Sequence, residues 1–135
     1  MRTAEQQLWD TMKRNAPADF WLQRIENGVA VGMPDVFAAA KDATWQHWIE
    51  LKAPKRPARA TTKLLAKYGM SQNQINWHYK ADIYGISSWI LIRDSVGALF
   101  LIPGKHAWAC NDWDAVDMAT NSFADTWPRI FEALR

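Results

Sequence analysis

The apolar positions of the first fifteen residues recur at helical spacing. Leu8, Trp9 and Met12 share one side of a helix, Thr3 stands where a capping hydroxyl is needed, and Pro17 stops the pattern, which predicts a helix over residues 4–15. Glu5 lies on the same side as those three residues, so its carboxylate points toward whatever the helix packs on; a glutamate favoured by the helix dipole is the plainer explanation. Past Pro17 the period changes. Three extended segments, at about residues 21–30 with a turn at Asn27-Gly28, 35–40 and 45–53, suggest a small antiparallel sheet. Pro54 and Pro57 then break the chain, making residues 54–61 a loop or extended arm. A short helical turn fits residues 61–68 before Gly69. Ser71 caps a longer helix that runs to about Tyr84 and ends at Gly85. Residues 88–93 and 98–102, separated by Asp94-Ser95-Val96-Gly97, read as a strand pair closed by Pro103-Gly104. Residues 112–118 and 122–134 carry the weakest periodicity and are predicted as helices, the second interrupted near Pro128. There is no internal repeat or low-complexity stretch.

At 135 residues the chain is expected to be a single domain, residues 1–135, with a core that needs no disulfide or structural metal. Its 49% hydrophobic and 22% charged residues are those of a globular protein and exclude a disordered or fibrous one. Cys110 is the one cysteine, which suits a reducing compartment, and no Cys/His set has zinc-site spacing. No apolar run approaches a membrane span, and the charged amino terminus lacks the features of a secretory signal, so no membrane association and a cytoplasmic location are expected.

The net charge of +2 is unevenly spread. Six basic residues (Lys52, Lys55, Arg56, Arg59, Lys63 and Lys67) fall between positions 52 and 67 with no acidic residue among them, leaving ten basic and fourteen acidic residues elsewhere, a net −4. Such a segment attracts a polyanion, a nucleic-acid backbone above all; a solvated loop explains the charges equally well.

The stretch richest in chemistry is Gly32-Met33-Pro34-Asp35, followed by Glu50-Leu51-Lys52 at the end of an apolar strand. Strand residues two apart share a face, so Glu50 and Lys52 project together, and Asp35 approaches Glu50 if the two strands pair. Paired carboxylates repel when ionised, and a divalent ion relieves the repulsion. Magnesium is the expected ion, because it takes hard oxygen ligands and leaves room for water and substrate phosphate. Lys52 would then orient the attacking water or stabilise transition-state charge. For Glu50 and Lys52 alone, an ordinary cross-strand ion pair is the simpler reading.

Pro34-Asp35 followed by Glu50-Leu51-Lys52 resembles the signature of the PD-(D/E)XK nuclease superfamily. With Gly32 before it and Ser71-Gln72-Asn73-Gln74-Ile75-Asn76-Trp77-His78 after it, the pattern resembles the VRR-NUC (virus-type replication-repair nuclease) branch, over about residues 5–93. The resemblance implies an α/β fold with a restriction-endonuclease-like core, a central mixed sheet flanked by helices. It further implies a metal-dependent phosphodiesterase, with Asp35 and Glu50 as principal metal ligands, the Leu51 carbonyl often completing the shell and Glu5 as a further ligand. Mg2+ is the implied cofactor, with Mn2+ able to substitute. Lys52 takes the water-positioning role, and Gln74 steadies the site or touches the scissile phosphate; a polar residue capping packed helices is an equal alternative for Gln74.

The resulting expectation is a small DNA endonuclease acting on branched DNA, a Holliday junction resolvase among the options, of phage or prophage type. It would work as a homodimer, with backbone contacts from Lys55, Arg56, Arg59, Lys63 and Lys67. The alternatives are a DNA-binding accessory factor that keeps the fold without useful catalysis, and a protein-interaction domain. His47, His78 and His106 share no metal spacing and read as surface or satisfied core residues. Of nine tryptophans, Trp9, Trp21, Trp45, Trp48, Trp77 and Trp89 are expected mostly in the core, with Trp108 and Trp113 less constrained.

Overall fold

The computed structural model describes residues 2–25, 31–42, 45–66 and 69–135. Helix α1 (Ala4–Asn15) is capped by Thr3, whose hydroxyl accepts from the Gln6 amide while its own amide donates to Gln6 Oε1, and it buries Leu8, Trp9 and Met12. Strands β1 (Phe20–Arg24), β2 (Val36–Ala40) and β3 (Gln46–Lys52) form an antiparallel meander. The expected turn at Asn27-Gly28 lies outside the described residues. After β3 the chain runs through the arm without regular structure and makes a turn at residues 64–66. Helix α2 (Gln72–Ile83), capped by Ser71, then carries it back to β4 (Ser87–Arg93), which pairs with β3 in parallel. This crossover makes the sheet mixed, since a parallel pair cannot be joined by a tight turn. Strand β5 (Leu99–Pro103) returns antiparallel to β4, completing a five-stranded sheet in the order β1-β2-β3-β4-β5.

Both sheet faces are covered at the β3–β5 side. One layer contains Leu8 and Met12 of α1 with Ile49, Leu51, Leu91 and Leu101 of the sheet and Ile130 and Phe131 near the carboxy terminus. The other contains Ile90, Ile92, Phe100 and Ile102 with Leu64, Leu65, Cys110 and Met118. The outcome is an α/β fold with a central mixed sheet flanked by helices.

The carboxy-terminal part differs from the expectation. A 3-10 turn (Gly104–His106) leads into α3 (Ala107–Cys110), and α4 (Ala115–Asn121) starts at the cap Asp114. Helix α5 (Trp127–Ala133) starts at the cap Thr126 and carries Pro128 in its first turn. Pro128 is therefore a starting residue, because the first-turn amides have no helical acceptor and proline loses nothing there. His47 ties this end down: its Nε2 lies 2.8 Å from the Leu134 carbonyl oxygen and its Nδ1 2.7 Å from Ser87 Oγ, as expected of a satisfied core histidine. Two tryptophans leave the core expected for them. Trp21 on edge strand β1 is 59% exposed and Trp45 is 58% exposed, since the apolar layers concentrate on the other strands. Among the described residues no helix is long and apolar enough to cross a membrane.

Candidate active site

The antiparallel register of β2 and β3 pairs Val36 with Ile49, which brings Asp35, one residue before β2, alongside Glu50. Asp35 Oδ2 accepts a hydrogen bond from the Leu51 amide at 2.9 Å, so the carboxylate is anchored on the strand that carries its partner. Glu50 is 2% exposed. Burial first, then the hydrogen bond to Asp35 and that residue's charge, raise the Glu50 carboxyl from its ordinary value to about 10, against the opposing pull of Lys52. Its Oε1 is buried without a hydrogen-bond partner.

Lys52 projects from the end of β3 and donates to Gln74 Oε1 at 3.1 Å and to the Gly69 carbonyl at 3.2 Å. Gln74 is a helix-capping residue that also contacts Lys52. The same Oε1 accepts from the Ser71 amide at 2.9 Å within the capping box of α2, so the cap fixes the oxygen that holds the lysine. Gly32 joins the parts. It has φ +83°, and a side chain there would collide with the backbone carbonyl of Asn73 in the first turn of α2, so only glycine lets the segment before Asp35 lie against that helix.

Glu5 sits on the first turn of α1, half-buried, 3.6 Å from Arg24. Burial raises its carboxyl and the charge of Asp35 adds to the rise, while Arg24 and Lys52 oppose it, so Glu5 feels the site electrostatically. Among the described residues no three His, Cys, Asp or Glu side chains gather closely enough to form a complete metal cage. The closest acidic grouping is the pair Asp35 and Glu50. That pair suits magnesium, which commonly binds one or two carboxylates and keeps several waters, and the unpartnered Glu50 Oε1 is the kind of buried oxygen that a cation satisfies.

His78 lies fully buried on α2, with Nδ1 2.8 Å from Ser88 Oγ and Nε2 unpartnered. Burial, helped by the charge of Lys52, pushes it down to about 4, so the imidazole stays neutral at ordinary pH. The basic segment is more divided than its charge count suggests. Arg56 is bound to the buried carboxylate of Asp94 at 2.6 Å and its amide donates to Ser95 Oγ, and Lys63 pairs with Asp112 at 2.9 Å on the surface. Lys55 and Arg59 are exposed, and Lys67 lies outside the described residues.

A cleft of about 710 Å³ opens at Lys52 and Glu5, lined also by Lys55, Arg93, Asp94 and Ser95 among others. Arg93 and Asp94 are expected from the sequence only as a strand end and a turn residue, not as site residues. The available signal was a basic residue ending an apolar strand: β4 runs parallel to β3, so both finish at the same sheet edge.

No protein-family model matches this chain, and no curated protein matches it. Among solved structures the chain is similar to Archaeoglobus fulgidus Hjc, described as a Holliday junction resolvase from an archaeal hyperthermophile, at 18% identity over 76% of this chain and 75% of that one, with a TM-score of 0.49.

Proposed function

We propose that this chain is a divalent-metal-dependent nuclease that hydrolyses phosphodiester bonds in DNA, with branched DNA as its substrate. The observation that carries the reading is the convergence of Asp35, Glu50 and Lys52 at one end of β3, with Glu50 Oε1 left unpartnered and Lys52 fixed by Gln74. Asp35 and Glu50 would hold magnesium, or manganese in its place, with the carbonyl of Leu51, next along β3, and Glu5 as further ligands. The bound ion would supply Lewis-acid stabilisation of phosphate charge and a more acidic water.

Lys52 would hold the attacking water or meet the charge that builds on the phosphate, and its two acceptors limit where the ammonium can be. Gln74 acts through Lys52 as a positioning residue. Exposed Lys55 and Arg59 would contact the DNA backbone. Arg56 and Lys63, both already paired, are the weaker candidates from the basic segment. A homodimer would present two such sites for the paired cuts that a four-way junction needs. The resemblance to the VRR-NUC branch supports this reading through Gly32, Asp35, Glu50, Lys52 and Gln74.

A second reading, a protein-interaction surface, draws on one observation: Trp21, Phe37 and Trp48 meet edge to face across β1, β2 and β3, with Trp21 largely exposed. The two are separated by cleavage of labelled four-way junction, flap, linear duplex and single-stranded DNA with magnesium, with EDTA, and with Lys52→Ala protein. Cleavage that needs both magnesium and Lys52 is the expected result. Folded protein that neither cuts nor binds any of these DNAs would overturn the nuclease reading in favour of the second.

A further inference from the structure

The cleft that Lys52 and Glu5 line has a further wall built from residues that lie outside the motif. Arg93 ends β4, and the parallel register sets Lys52 beside Ile92, so Arg93 reaches the cleft at the same sheet edge as Lys52. Lys55, three residues past Lys52, lines the same cleft from the arm. This wall is assembled in advance. The fully buried carboxylate of Asp94 accepts from Arg56 at 2.6 Å and from the amides of Val96 and Ala98 at 3.1 and 2.9 Å, and Ser95 Oγ accepts from the Arg56 amide at 2.8 Å. These bonds pin the arm to the turn between β4 and β5. They also engage the carboxylate adjacent to Arg93 in sequence. Among the described residues neither Lys55 nor Arg93 forms a salt bridge.

We infer that Lys55 and Arg93 seat a backbone phosphate of the DNA strand next to the phosphate held at Asp35 and Glu50, so that this wall sets the strand's path through the cleft. The inference rests on the nuclease reading and extends it by naming that path. The carboxylates that line the cleft face other partners, Glu5 facing Arg24 and Asp94 bound to Arg56, so Lys55 and Arg93 stand as unpaired like charges that a phosphate between them would bridge. The planar guanidinium of Arg93 matches two phosphate oxygens, and Lys55 adds a point charge. The cleft volume is in the range that holds ligands of nucleotide size. Arg56, by contrast, is a strut that shapes the wall.

The test is binding of a fluorescent synthetic four-way junction in EDTA, over a series of salt concentrations, by the parent protein and by Arg93→Gln, Lys55→Gln and Arg93→Lys, with Tm measured for each. Each glutamine variant is expected to make the plot of log affinity against log salt shallower by about 0.9, the value of one lost phosphate contact. Arg93→Lys is expected to keep the parental slope. A purely structural role would lower Tm and leave the slope unchanged, and an unchanged slope in folded Arg93→Gln overturns the inference. Parent protein that binds with these slopes but fails to cut with magnesium would overturn the nuclease reading while leaving the phosphate seat in place.

Discussion

Replacing Glu50 by glutamine should abolish cleavage and make the metal-free protein more stable. The folded protein holds the Glu50 carboxyl at about 10 against an ordinary value of 4.5, chiefly through burial and the neighbouring Asp35. Between those limits the folded state keeps a proton that the unfolded chain releases, so the unfolded state binds fewer protons and stability falls as pH rises. The contribution is complete below pH 4.5, declines through the neutral range and is exhausted near pH 10. At about 1.4 kcal/mol per pH unit, the 2.5 units from pH 4.5 to pH 7 amount to roughly 3.5 kcal/mol, which an uncharged glutamine of the same shape recovers. For a chain of this size that corresponds to a Tm higher by about 10 °C. The assay is thermal unfolding of parent and Glu50→Gln in EDTA from pH 5 to pH 9, alongside junction cleavage. The gap between the two proteins should widen with pH, and magnesium should narrow it by favouring the ionised carboxylate in the parent. Parallel curves at all pH values, or a Glu50→Gln protein less stable at pH 8 than the parent, would refute the assignment of the buried proton to this pair.

Ser71→Ala removes only the cap of α2 and should cost about 1 kcal/mol in Tm-derived stability with little effect on turnover, while Gln74→Ala loses a comparable amount and also frees Lys52. A fall in kcat for Gln74→Ala beyond that of Ser71→Ala, measured on the same junction, checks the positioning role. Arg56→Ala leaves the buried Asp94 with only two amide donors and should destabilise by roughly 3 kcal/mol in urea unfolding; the double variant with Asp94→Asn should recover part of the loss.

Several elements were legible from the sequence because their determinants are local. Leu8, Trp9 and Met12 with Thr3 define α1, and Ser71 with Gly85 brackets α2, since caps and a 3.6-residue period act within a turn or two of chain. The grouping of Asp35, Glu50 and Lys52 was also legible, because alternation on β3 fixes which side chains share a face. Pro128 misled because a proline that starts a helix and one that breaks it differ only in where the cap falls, and Thr126 decides that here. Trp21 and Trp45 resemble core residues by type, yet their burial depends on what lies across the sheet.

Sequence alone thus determined the elements, the sheet face that carries the acids and lysine, and the clustering of charge along the chain. Tertiary structure decided which charges remain available. Arg56 and Lys63 are engaged by Asp94 and Asp112, residues 38 and 49 positions away, while Arg93 joins Lys55 at the cleft because β3 and β4 end at one edge. It also decided that Gln74 is both cap and lysine acceptor, and that Glu50 is buried deeply enough to keep its proton. Local pattern reaches only a few residues along the chain, whereas desolvation and ion pairing depend on neighbours that the crossover from β3 to β4 brings together.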